Sequence, residues 1–94
     1  MLKNADPVQL SDDLLIFPNP ADGSVNIAFT LDRSTDVSIM ILDMQGRIVE
    51  QLQLGSISGY RQLEMGTAQL ESGTYILTVI ANEQRRTERF VVYR

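Results

Sequence analysis

The sequence predicts an all-β fold, about seven short antiparallel strands packed as a two-sheet sandwich, and three observations predict it. Apolar and polar residues alternate at period two in several segments, turn residues punctuate the chain at near-regular spacing, and no segment holds a secure helical period. Ninety-four residues make one domain. A chain of that size buries roughly 60–65% of its unfolded surface, enough for one modest core.

Residues 1–13 are polar, with Pro7 and an Asp12-Asp13 pair, and read as a linker or tail. Leu14–Phe17 is a short apolar run and a first strand. Pro18 and Pro20 have no N–H to give a ladder, so the strand stops there or lies at an edge. Asn19, preceding a proline, is held extended. Ala21-Asp22-Gly23 completes the turn.

Val25, Ile27, Phe29 and Leu31 then alternate with Ser24, Asn26, Ala28 and Thr30, the pattern of a half-buried strand. Val37, Ile39 and Ile41 repeat it, with Met40 and Leu42 making the other face apolar too, so this strand is central. Met44-Gln45-Gly46 suits a three-residue hairpin loop with Gly46 in the left-handed position of a bulge. Arg47–Leu54 returns as a strand. Ile48, Val49 and Leu52 also fit a helical spacing, but the segment is short and bracketed by Gly46 and Gly55.

Gly55-Ser56-Ile57-Ser58-Gly59 reads as a loop, Tyr60–Met65 as a further strand, and Thr67–Ser72 as a corner. Tyr75, Leu77 and Val79 alternate along the next strand. Asn82-Glu83 makes a tight turn, since Asn tolerates positive φ, and Gln84–Tyr93 is the last strand. The sum is an immunoglobulin-like sandwich. Leu70-x-x-Gly73-x-Tyr75 looks like the corner of such folds, where a Tyr hydroxyl reaches back to upstream backbone, which gives Tyr75 a structural role.

Composition removes several function classes. The chain lacks His and Cys, so the usual proton shuttle and the thiolate and imidazole metal ligands are missing, and zinc or copper sites are not expected. A hydrolytic nucleophile would lack a base, and the lone Lys3 falls in the tail, so no catalytic residue is assigned. Asp32, Asp36 and Asp43 are spaced unlike an EF-hand, so no metal site or cofactor is assigned. Net charge is −4, unevenly spread: residues 1–43 hold seven acids against Lys3 and Arg33, residues 44–94 five acids against six Arg. A short basic cluster near the end is too little for nucleic acid. No apolar run approaches a membrane span, and the polar N-terminus is not a secretory signal.

Pro18-Asn19-Pro20, Gly23-x-Val25-x-Ile27, Asp43-x-x-Gly46-Arg47-x-Val49, Leu70-x-x-Gly73-x-Tyr75 and a terminal basic-to-apolar strand closing on Arg94 form an ordered set. That set resembles the C-terminal sorting domain of the type IX secretion system of Bacteroidetes, over residues 14–94. Many members close on Lys where this chain has Arg94, and both keep a terminal positive charge. The resemblance implies a signal at the end of a larger exported cargo. Such a signal is read by the outer-membrane translocon with its shuttle and sortase components. It is usually removed by a sortase-like peptidase upstream of the first strand, the cargo passing through the periplasm to the cell surface or beyond.

The candidate recognition residues are Pro18, Asn19, Pro20, Asp43, Gly46, Arg47, Gly73, Arg89, Val91, Val92 and Arg94. For the two turns, a recognition epitope and simple turn geometry both fit. Asp43 and Arg47 flank their loop and suit an ion pair across it. Arg85, Arg86, Arg89 and Arg94 bias the last strand positive against Glu88 alone, as a basic edge for an acidic receptor groove or as an ordinary solvated face. Homodimerisation through the terminal strand, as domain swap or edge pairing, is compatible with the sorting role. The rival reading is a generic immunoglobulin-like adhesion or carbohydrate-binding module, with Tyr60 and Tyr93 as its surface aromatics. Against it stands the expectation that the chain ends at its last strand, with no linker to a further domain.

Overall fold

A computed structural model describes residues 14–93; the linker expected over residues 1–13, and Arg94, lie outside them. The chain is all-β and antiparallel, with five strands where about seven were expected: β1 Leu15–Phe17, β2 Ser24–Leu42, β3 Ile48–Gly66, β4 Gly73–Ala81 and β5 Gln84–Val92. Hydrogen bonding joins all five into one sheet in the order β1-β2-β4-β5, with β3 on the far side of β2. A separate second sheet does not occur among the described residues.

The count differs because two expected breaks do not break the ladder. Asp32 to Asp36 is polar on both faces and interrupts the alternation between Leu31 and Val37, and Gly55–Gly59 reads as a loop. These two stretches instead run alongside each other, with Thr35 opposite Ile57, Asp36 opposite Ser56 and Val37 opposite Gly55. The irregularity is absorbed as register shifts between Leu31 and Thr35 and between Val37 and Ser38. Gly55 and Gly59 take φ of 72° and 76°, which lets one strand bulge without ending. Both stretches are mostly exposed, so their polarity reports a bend through solvent.

One face of β2 is apolar on both sides of residues 32–36. Val25, Ile27, Phe29, Leu31, Val37, Ile39 and Ile41 are buried and form a single core with Tyr75, Leu77 and Val79 of β4 and Phe90 and Val92 of β5. The sheet curls about this face. The curl brings the segment after β1 to the end of β5, where Ala21 makes a parallel bridge to Val92. The opposite face of β2 and β4 is also apolar, as expected for central strands: Met40, Leu42, Ile76 and Ile80 are half-buried.

The short connections behave as their residues dictate. Gly46, at φ 88°, closes the β2–β3 hairpin, where Asp43 N–H donates to the Arg47 carbonyl at 2.9 Å and Gly46 N–H to the Asp43 carbonyl at 3.0 Å. Asn82, at φ 59°, turns β4 into β5 between the paired Ala81 and Gln84.

Candidate recognition surface

One end of the sheet gathers most of the motif residues. Across three strands Leu42 pairs with Ile76 and Ile76 with Arg89. Beyond that row lie the Asp43–Arg47 turn, the corner before β4, and the last residues of β5, where Gly73 pairs with Val92 and Thr74 with Val91. The Pro18-Asn19-Pro20 segment arrives at the same end.

That arrival is a set of specific hydrogen bonds. The peptides before Pro18 and Pro20 are both cis. Neither proline can donate, so Asn19 and Ala21 supply what the segment offers to its neighbour. Val91 N–H donates to the Asn19 side-chain Oδ1 at 3.0 Å. Ala21 N–H donates to the Val91 carbonyl at 2.7 Å, and Tyr93 N–H to the Ala21 carbonyl at 2.8 Å. Chain entry and chain exit are thus tied side by side. Asn19 is exposed, whereas Ala21 is fully buried. Ala21 was not singled out from sequence, because its part is played by backbone, and an alanine in a turn carries no chemical signal.

The Asp43 carboxylate organises the neighbouring turn. One oxygen accepts from Gln45 N–H and Arg47 N–H, both at 2.9 Å, and the other from Arg47 Nε at 2.8 Å. The ion pair expected across the loop is therefore formed. These bonds hold the carboxyl below its usual range, the Arg47 backbone N–H being the largest cause and partial desolvation opposing it. The Arg47 guanidinium remains largely exposed.

Beside the turn, Tyr75 donates its hydroxyl to the Glu71 carbonyl at 2.7 Å, the back-reaching corner read from the sequence. Its ring lies 6.0 Å from that of Phe90, tilted by 31°. Asp43, Arg47, Val49, Gln69, Leu70, Glu71 and Tyr75 line an open cleft here. Gln69, on its rim, donates to Glu50.

The basic residues lie along β5, an edge strand bonded only to β4 among the named strands. Arg85 and Arg89 are exposed and share a face with Ile80 and Ile76, their partners on β4. Val92 is buried in the core and Val91 exposed, so the two neighbours have opposite surroundings. Arg94 lies outside the described residues. Among the described residues no group of three acidic side chains converges to hold a metal ion. Tyr60, on β3 opposite Thr30, and Tyr93, beside Ala21, are both exposed but sit at opposite ends of the sheet and build no shared aromatic platform.

Comparison with known proteins places this arrangement. A search of curated protein sequences found no match. Among solved structures, dimeric latent PorU from Porphyromonas gingivalis superposes with a TM-score of 0.77 at 17% sequence identity, over 97% of this chain and 10% of that one. At that identity the likeness speaks for the fold, and this chain spans about a tenth of the length of the protein it matches. The family model described as "Secretion system C-terminal sorting domain" matches residues 15–93. The proline-flanked entry, the Asp-Gly-Arg turn, the tyrosine corner and the closing strand are thus features of a chain that belongs to the type IX secretion system C-terminal sorting domain family.

Proposed function

We propose that this domain is the secretion signal of a larger cargo protein and directs it across the outer membrane through the type IX translocon. The family match over residues 15–93 carries the reading. A signal shared by unrelated cargoes must be read independently of them, from surface the domain itself supplies. The end of the sheet that holds Pro18, Asn19, Pro20, Asp43, Gly46, Arg47, Gly73, Arg89 and Val91 is such a surface. It is built largely from backbone geometry and caps, which tolerate sequence drift elsewhere. Val92 supports it from the core.

In this reading the domain is not an enzyme. It passes the periplasm with its cargo, meets the translocon and its shuttle and sortase components, and is removed upstream of β1 as the cargo reaches the cell surface. The test is a secretion assay in a type IX-competent bacterium, with residues 1–94 fused behind a periplasm-targeted fluorescent passenger. Passenger outside the cell is the expected result. Passenger trapped in the periplasm, with the domain shown to be folded, would overturn the proposal. Deleting residues 90–94 is a poor control, because Phe90 and Val92 are 0% and 1% exposed and their loss would unfold the domain. Point variants of the exposed Asn19, Arg47 and Arg89 separate signal from stability.

A further inference from the structure

We infer that the open stretch of the β5 edge, Arg85 to Arg89, is a docking site for an acidic extended strand of a different protein. The inference names a partner chemistry within the sorting reading and rests on it for biological context, but its test is a binding measurement that stands apart from secretion.

The hydrogen-bond directions of β5 define the stretch. Val91 spends its N–H on Asn19 and its carbonyl on Ala21, so both groups point away from β4. Backbone direction alternates along an antiparallel strand, so Arg89, Thr87 and Arg85 also face outward. By that alternation the Arg85 carbonyl also faces outward; it accepts from the Arg86 guanidinium at 3.1 Å and keeps a second lone pair. The proline-flanked segment hydrogen-bonds to the edge at Val91 and Tyr93; β1, just upstream, comes close to β5 but forms no ladder with it. What remains is a window of three outward residues, long enough to seat a strand and bounded at one end by the clamp.

The side chains in that window select the occupant. Arg85 and Arg89 stand on one face with Thr87 between them, while Glu88, paired with Leu77, lies on the other. A second copy of this chain is a poor fit. Two β5 strands paired antiparallel about Thr87 would set Arg85 opposite Arg89 of the other copy, twice, and directly opposed like charges are destabilising. A heterologous strand with acidic residues at positions j and j+4 places a carboxylate opposite each Arg. Its backbone closes the open N–H and C=O groups. Ile76 and Ile80, half-buried on β4, flank the two Arg on the same face from the side away from the incoming strand.

The experiment uses the 94-residue chain and a capped nine-residue peptide with Glu at its third and seventh positions, Thr between them and Ile outside. Amide hydrogen exchange and backbone NMR shifts read the site. The expected result is protection of Arg85, Thr87 and Arg89 N–H, with the outer edge of β3 unchanged. A peptide with Lys at both acidic positions should bind about ten-fold more weakly. The double variant R85E/R89E should reverse that preference. Thr87→Pro should abolish binding while leaving the β4 ladder intact, because the Thr87 N–H takes no part in it. Equal binding of the Glu and Lys peptides, protection at β3 instead, or undiminished binding to folded Thr87→Pro would each overturn the inference. Any of these results would leave the secretion assay to decide the sorting reading by itself.

Discussion

Replacing Asn19 by Ala removes one acceptor from the clamp between chain entry and chain exit. The bond it deletes, Val91 N–H to Oδ1, is 3.0 Å long and lies at an exposed position. Water can reach the freed N–H, so the net cost is at the low end for a hydrogen bond, about 0.5 kcal/mol. For a domain of this size that lowers Tm by about 2–4 °C. The local effect is sharper. Val91 N–H loses the Asn19 acceptor, and its exchange should rise by about ten-fold. Tyr93 N–H keeps the Ala21 carbonyl and should exchange as before. Asn19→Asp supplies the control, since a carboxylate accepts the same bond and should preserve both Tm and Val91 protection. Native-state hydrogen exchange by NMR reads all three. If Asn19→Asp loses as much protection as Asn19→Ala, or if Val91 exchange is unchanged in Asn19→Ala, the side chain does not act as the acceptor and the reasoning fails.

Three further outcomes follow from the corner and the hairpin. Tyr75→Phe keeps the ring against Phe90 but leaves the Glu71 carbonyl without its donor, and should cost about 1–2 kcal/mol in urea denaturation. Gly46→Ala should cost about 1–2 kcal/mol by the same measurement; a Cβ there meets no atom within 4 Å, so the penalty is the positive φ alone. Asp43 has a depressed folded pKa, so its contribution to stability is fully present above the ordinary carboxylate range and is lost as pH falls through the lowered value. The stability difference between wild type and Asp43→Asn should accordingly shrink on acidification through that window. A difference that stays constant down to the acid limit would contradict the assignment.

What was legible in the sequence was mostly local. Gly46 and Asn82 announce turns because few residues accept positive φ, and both turns form where the spacing put them. Tyr75 announces a corner because a buried phenol needs an acceptor, and Glu71 provides it. Period two identified the buried face of β2 correctly on both sides of residues 32–36. Strand number was not legible, because polarity and glycine mark both a loop and a bend in a continuous strand. Only the partner decides between them: Thr35 to Val37 have Ile57, Ser56 and Gly55 beside them, and the ladder carries on. The clamp was half legible. The prolines and Asn19 stood out, but that they meet Val91 more than seventy residues later depends on how far the sheet curls, and Ala21 contributes through atoms every residue shares.

The parallel bridge between Ala21 and the end of β5 also determines how the domain bears load. A pull on the chain upstream of residue 14 passes first through β1 and the two prolines and arrives at bonds that hold Ala21 against Val91 and Tyr93. With the two segments running in the same direction, tension drawn along them shears these bonds together instead of unzipping them one at a time. The bridged residues themselves, Ala21 and Val92, are 0% and 1% exposed, so any slippage would drag apolar surface into water. Tension applied at the front of this domain therefore reaches its back edge as well.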